Sequence, residues 1–197
     1  MKIKKIGILA LVFVLAAALT GCDPIPGFSK DKDTDNTGGG SAISALYGET
    51  LSEDDDRIVG GYADGRIGDT MQTVWFSFKV NSAEKVDEYN GYTAADGNML
   101  LKANITIKNT YGMELTMFSD DFQLQWGEGD QDFGYAMEAT TDEELEGEFT
   151  LKKGESVTGD LVYELPAENS GEYSISYLEI YDDNVEGNVF FVYFELD

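Results

Sequence analysis

From about Gly68 onward, apolar and polar residues alternate with a period of two, the pattern of half-buried β-strands. Phe76, Phe78 and Val80 fall on one face of a first strand. Met99, Leu101, Ala103, Ile105 and Ile107 interleave with Lys102, Asn104, Thr106 and Lys108, the cleanest alternation in the chain. Phe122, Leu124 and Trp126 follow the same rule, as do Val157, Leu161, Tyr163 and Leu165, and then Tyr173, Ile175 and Tyr177. Val189 to Leu196 is apolar on both faces, which predicts a central strand. Turn signals at Asp96-Gly97-Asn98, Tyr111-Gly112, Lys153-Gly154 and Ser170-Gly171 separate these runs. One helical signal, Thr141-Asp142-Glu143-Glu144-Leu145, has the flavour of a capping sequence but is too short to matter. About seven short strands and few helices over residues 66–197 predict a single all-β domain, an antiparallel β-sandwich.

The first 65 residues follow other rules. Lys2, Lys4 and Lys5 precede an apolar stretch from Ile6 to Leu19, broken only by Gly7. At roughly 1.5 Å per helical residue, this run falls short of a hydrocarbon core of about 30 Å. Residues 1–21 therefore read as an export signal rather than a membrane span. The stretch Leu19-Thr20-Gly21-Cys22 closes it and holds the chain's one cysteine, the arrangement of a bacterial lipoprotein processing site. Cys22 is then the lipidation site and the first mature residue. A diacylglyceryl group on it anchors the chain stably to the extracytoplasmic face of the cell membrane, because two acyl chains hold where one does not. Asp23 to about Ser41, with two prolines, alternating charges and Gly38-Gly39-Gly40, reads as a disordered tether, whose random-coil span is roughly 25 Å. Residues 42–65 admit two readings: more tether, or a segment that docks on the domain.

Composition narrows the chemistry. The formal charge is −25 from 13 basic and 38 acidic residues; removing residues 1–21 takes three lysines and no acid, leaving −28. So acidic a surface repels nucleic acid and anionic headgroups and keeps the domain soluble. Histidine is absent, which excludes Ser-His-Asp and Cys-His catalysis and histidine metal ligation. With Cys22 lipidated, no thiol is left for a disulfide or a nucleophile.

A set of short motifs carries a family resemblance. Val80-Asn81-Ser82, Tyr89-Asn90, Asp96-Gly97-Asn98, Ile105 to Thr110, Ser119-Asp120-Asp121-Phe122, Gly154 to Gly159 and Leu165-Pro166 occur in an order that resembles the family called domain of unknown function 4352. The resemblance covers about Gly68 to Asp197. It implies an immunoglobulin-like sandwich behind a lipid anchor and a low-complexity tether, and carries over no catalytic residue. Read physically, these motifs are turns and strand ends. Gly154 and Gly159 frame the start of a strand, and Pro166 stops an edge.

Acidic runs are the remaining candidates. Asp31 to Asn36 begins like a calcium loop but has Asn36 and Ala42 where a glycine and a bidentate glutamate are needed. Asp120-Asp121, Glu128-Asp130-Asp132, Asp142 to Glu144 and Asp182-Asp183 are loop carboxylates of the kind a calcium site draws on. Carboxylate-based glycoside hydrolysis needs only two acids at a set separation, and 38 acids supply such pairs by chance. Gly154-Glu155-Ser156-Val157-Thr158 falls one residue short of a nucleophile elbow. Tyr163, Tyr173, Tyr177 and Trp126 fit the inward strand faces as core. Trp75 is out of phase with Phe76 and Phe78, so it is either exposed or covered by residues 42–65. The chain reads as a non-enzymatic interaction module with no cofactor, whose partner is an envelope protein or ligand met by sandwich loops or an edge strand. The alternative is a calcium- or cation-binding envelope protein.

Overall fold

The computed structural model describes residues 42–127, 129, 131–169 and 171–196. In chain order the strands are β1 (Ile43–Ser44), β2 (Glu49–Ser52), β3 (Asp55–Val59), β4 (Tyr62–Arg66), β5 (Met71–Gln72), β6 (Phe76–Val86), β7 (Glu88–Tyr89) and β8 (Tyr92–Thr93). They continue with β9 (Asn98–Asn109), β10 (Leu115–Phe118), β11 (Gln123–Gln125), β12 (Phe133–Gly134), β13 (Glu148–Leu151), β14 (Ser156–Pro166), β15 (Glu172–Ile180) and β16 (Glu186–Glu195). One five-stranded sheet has the order β1-β5-β6-β9-β14, and a second the order β12-β11-β15-β16-β4. The pairs β2–β3, β7–β8 and β10–β13 are separate ribbons. Pairing is antiparallel except for β1 with β5 and β4 with β16. The fold is the all-β sandwich that the alternation predicts, with the immunoglobulin-like character that the family resemblance implies.

Alternation decides what fills the space between the sheets. Phe76, Phe78 and Val80 of β6, and Leu101, Ala103, Ile105 and Ile107 of β9, are all buried. Facing them are Leu124, Tyr173, Ile175, Tyr177, Phe190, Val192 and Phe194. The aromatic rings meet edge to face: Phe76 lies 4.8 Å from Tyr177 at 74°, and Phe78 lies 5.4 Å from Phe122 at 67°. That geometry sets the positive edge of one ring against the negative face of the next. Tyr163 donates its hydroxyl to the Phe122 carbonyl at 3.0 Å, so this buried phenol keeps a hydrogen bond. Burial pushes the Tyr163 and Tyr177 phenols well above the usual tyrosine range. The doubly apolar stretch from Val189 is central, between β15 and β4, but has one covered face only. Phe190, Val192 and Phe194 point inward, whereas Val189, Phe191 and Tyr193 are half-buried. Their shelter is lateral: Phe191 stacks on Tyr193 at 5.7 Å, and the Arg66 guanidinium lies 5.6 Å from the Tyr193 ring.

Ordered chain begins well before the expected boundary at residue 66. Tyr62–Arg66 is the edge strand of the second sheet, running parallel to Val189–Tyr193. Ala63 and Gly65 face the core there, and a Cβ on Gly65 would come within 1.9 Å of Met71 Cε. Ile43–Ser44 pairs with Met71–Gln72 in the other sheet, so part of 42–65 docks on each sheet. Trp75 is half-buried and packs edge-on against Tyr181 at 5.3 Å. Residues 42–65 reach that ring, with the Arg57 guanidinium 4.8 Å from Tyr181 and bonded to Asp55 and Asp183.

A buried carboxylate fixes this arrangement. Along β15, Tyr173, Ile175 and Tyr177 point inward, and the next inward position is Glu179, which is fully buried. Its Oε1 accepts the Val74 amide at 2.8 Å, and its Oε2 accepts the Asn188 amide at 3.1 Å and Asn188 Nδ2 at 2.8 Å. Asn188 in turn accepts the Gly61 amide at 2.9 Å and donates to the Ile58 carbonyl at 3.2 Å. A Cβ on Gly61 would lie 2.6 Å from Asn188 Oδ1 and 2.9 Å from the Leu46 carbonyl oxygen, so only glycine allows this approach. Glu179→Ala would leave three donors without their acceptor. It is expected to cost about 3 kcal/mol in a urea unfolding titration; a loss within about 0.5 kcal/mol, the range of an ordinary surface change, would contradict the account.

Candidate functional site

On its outer face the first sheet is polar. The extra residue Asn81 bulges from β6 opposite β9 and donates to Asn104 Oδ1 at 2.8 Å and Thr106 Oγ1 at 2.9 Å. Asn104 passes the chain on to Asp160 Oδ1 at 2.6 Å. Two segments arch over this surface. The first is the β7–β8 hairpin, whose turn residues Asn90 and Gly91 have φ of 50° and 83°. Asn-Gly with both angles positive is the two-residue hairpin turn that matches strand twist. It sets Tyr89 opposite Tyr92. Tyr89 donates to Asp160 Oδ2 at 3.0 Å, and Tyr92 donates to Glu164.

The second segment is 137–145, which runs along the outer edge of β14. Met137 donates its amide to the Val162 carbonyl at 2.7 Å, Leu145 to Asp160 at 3.0 Å, and Asp160 to Glu143 at 2.9 Å. Gly159 permits this. A Cβ there would stand 2.9 Å from the Leu145 amide nitrogen and 3.1 Å from the Glu144 carbonyl carbon. The glycine expected to frame the start of a strand thus lies inside β14, where a second backbone comes close. The short capping signal makes no helix. Glu144 instead folds back, and its Oε2 accepts four hydrogen bonds, from the amides and hydroxyls of Thr140 and Thr141 at 2.9 to 3.2 Å.

Between hairpin and segment lies a cavity of about 50 Å³. Tyr89, Tyr92, Met137 and Val162 supply its apolar walls, and Thr140, Glu138 and Glu144 its polar ones. Glu144 is 8 % exposed, and its Oε1 accepts no hydrogen bond among the described residues. Desolvation, with the Asp160 hydrogen bond next, pushes the Tyr89 phenol up to about 12. The Glu164 hydrogen bond likewise raises Tyr92, and the same bond, with those from Asn98 and the Ala95 amide, holds the Glu164 carboxyl below its usual value. Both phenols are therefore protonated at neutral pH. Lys102, 5.9 Å from the Tyr89 ring centroid, is bonded to Glu84 at 2.6 Å.

The sequence-derived candidates are not brought together. Cys22 and Asp31 to Asn36 lie outside the described residues, as do Glu128 and Asp130. Asp132 accepts the Gly129 amide at 2.9 Å, Asp183 pairs with Arg57, and Glu155 accepts the Lys152 amide at 2.8 Å. Among the described residues, no group of three acids or thiols is arranged to hold a metal ion. Tyr89, Tyr92 and Glu144 were legible only in part. The Asn90-Gly91 pair is a hairpin signal that the alternation pattern passes over, and Thr141 to Glu144 reads as a short capping sequence, yet no local signal says that the two meet.

Residues 65–190 match the family described as Domain of unknown function (DUF4352). No curated protein sequence matches the chain. Among solved structures, ycdA of Bacillus subtilis, described as a putative lipoprotein, superposes with a TM-score of 0.52 at 20% identity. The alignment covers 64% of this chain and 38% of that one, so the likeness spans well under half of ycdA. MPT63, a secreted protein from Mycobacterium tuberculosis, gives a TM-score of 0.48 at 14% identity over 64% of this chain and 95% of its own.

Asp121 makes a separate prediction. It ends a short 3-10 turn, Ser119–Asp121, and its carboxyl accepts the Phe118 amide at 3.3 Å. Burial raises its pKa from 3.8 to about 6; Asp120 adds to the rise and the Phe118 hydrogen bond opposes it. A raised carboxyl favours folding in its protonated form. That contribution is complete below about pH 3.8 and is lost as pH rises through about 6. Asp121→Asn is expected to stabilise the domain relative to wild type above about pH 7 and to leave it nearly unchanged near pH 3.5, read as urea midpoints. Parallel pH curves for the two proteins would refute this.

Proposed function

The chain belongs to the DUF4352 family, and from that premise we propose that it is a non-catalytic binding module held by a lipid on Cys22 at the extracytoplasmic face of the cell membrane. The carrying observation is the cavity, built from a locked hairpin and a locked segment above an already satisfied sheet. Small-ligand sites are concave and largely pre-formed, with a few fixed polar groups in apolar walls. The cavity offers two tyrosine rings, a thioether, the free Glu144 oxygen and the Glu138 carboxylate, a mixture of apolar walls and few polar groups suited to holding a small ligand. The anchor rests on the leader, the residues before Cys22 and the solitary thiol. No helix among the described residues is long and apolar enough to cross a membrane. The calcium alternative gains no support from the described residues, where acids stay dispersed.

Two measurements test this. Mass spectrometry of protein extracted from membranes should show Cys22 as the N-terminal residue carrying a diacylglyceryl thioether, and an unmodified thiol there would remove the anchor. For binding, methyl spectra of the full mature chain in mild detergent should be recorded against the small-molecule fraction of an envelope extract. The Met137 methyl should shift while buried Met71 and Met117 hold still; a response led by exposed Met113 would refute the cavity as the site.

A further inference from the structure

We infer that the cavity takes a small organic ammonium group, an N–H-bearing cation on a short alkyl stem. This deepens, and rests on, the reading of the cavity as the binding site. Glu144 is more than nine-tenths buried, and four donors converge on Oε2 while Oε1 has none among the described residues. Such an oxygen in the wall of a cavity is open to water or to a donor from outside the chain, and a charged donor satisfies it best.

The other walls select the same chemistry. Tyr89 and Tyr92 line the cavity with aromatic rings, and each hydroxyl donates to a carboxylate, Asp160 and Glu164 respectively. Donation to an anion leaves a phenol richer in electrons, which strengthens its attraction for a cation. The protein itself supplies a precedent, since the Lys102 ammonium sits 5.9 Å from the centre of the Tyr89 ring. The Met137 thioether adds a soft, polarisable contact for an alkyl stem. Glu138 supplies a second acid to the lining, and no cationic residue lines the cavity.

Size and oxygen count exclude the competitors. One water takes roughly 10–15 Å³ of such space, so a 50 Å³ cavity admits a group of about three to five heavy atoms. Calcium needs about six to eight oxygens, whereas the carboxylate oxygens of this lining are the free one of Glu144 and the pair on exposed Glu138. An anion meets two acids and no compensating charge.

The probe is ethylammonium chloride titrated into the full mature chain, read at the Met137 methyl. Sodium chloride at equal ionic strength and 1-propanol, a neutral molecule of similar size, are the controls. Ethylammonium should saturate the Met137 shift, with 1-propanol at least tenfold weaker. Glu144→Gln keeps an acceptor for the threonines and turns the free acceptor into a donor; it should weaken binding tenfold or more. Tyr92→Leu, at a residue 40% exposed, should weaken it without touching the threonine bonds. Nα-acetyl-lysine amide separates a polymer-borne amine from a free one, its Nε-acetylated form serving as control. Equal binding of 1-propanol would overturn the ammonium inference and leave an apolar binding site standing. Ethylammonium shifts that survive both substitutions, or that fall mainly on Met113, would overturn site and ligand class together. Displacement of ethylammonium by millimolar calcium at Met137 would likewise overturn the inference.

Discussion

A carboxylate taken wholly out of water costs several kcal/mol unless donors replace its hydration, and Glu179 is such a group. Its three donors come from two places, the Val74 turn and Asn188 of the neighbouring strand. Asn188 then recruits Gly61 and Ile58, so one buried charge specifies where the chain enters the second sheet. The parallel pairing of β4 with β16 follows from that fixed point, as do the inward positions of Ala63 and Gly65. An apolar residue at position 179 would fill space without saying which backbone amides belong beside it. The polar group is costly, and what it supplies is register.

The same economy governs the sheet edges. An exposed edge invites pairing with another chain, and natural folds cover or shorten it. Here β14, 11 residues long, borders segment 137–145, which takes up backbone groups of Asp160 and Val162. On the other sheet, Tyr62 exchanges hydrogen bonds with Leu46, and the Arg66 amide bonds to Asp69. Covering β14 has a second consequence, because the covering segment carries Glu144 to the foot of the hairpin. The cavity is thus a by-product of edge protection, and Gly159 is the residue that lets both happen.

Much of the sandwich was legible in the sequence, since a period of two over β6, β9, β14 and β15 says which residues face the core whatever the topology. Three things were hidden, each for a physical reason. The parallel strand Tyr62–Arg66 is too short and too polar to show alternation, and its place depends on a carboxylate more than a hundred residues away. The apolar outer positions of β16 imitate a doubly covered strand, because stacking of Phe191 on Tyr193 and of Arg66 over Tyr193 shelters apolar surface without a further layer. The cavity needs three segments far apart in sequence, and its key atom is a carboxylate oxygen that is notable only because its twin is occupied. Composition shows how many acids there are; only geometry shows which one has a vacant lone pair.

Net charge bears on that last point in an unexpected direction. A formal charge of −25 attracts cations everywhere, so attraction alone selects nothing. Exposed carboxylates keep their water, and their pull on a cation fades over a Debye length of about 8 Å at physiological ionic strength. A recessed carboxylate flanked by ring faces is screened far less, and it meets a cation whose apolar stem also leaves water. The diffuse field raises the local concentration of cations, and the recess discriminates among them by shape and by N–H donors. A divalent metal ion gives up more solvation than this lining returns, whereas a monovalent alkylammonium gives up less and brings an apolar stem suited to the tyrosine and methionine walls. Selectivity, if charge were the whole story, would favour the smallest and most highly charged ion; the walls of the cavity reverse that order.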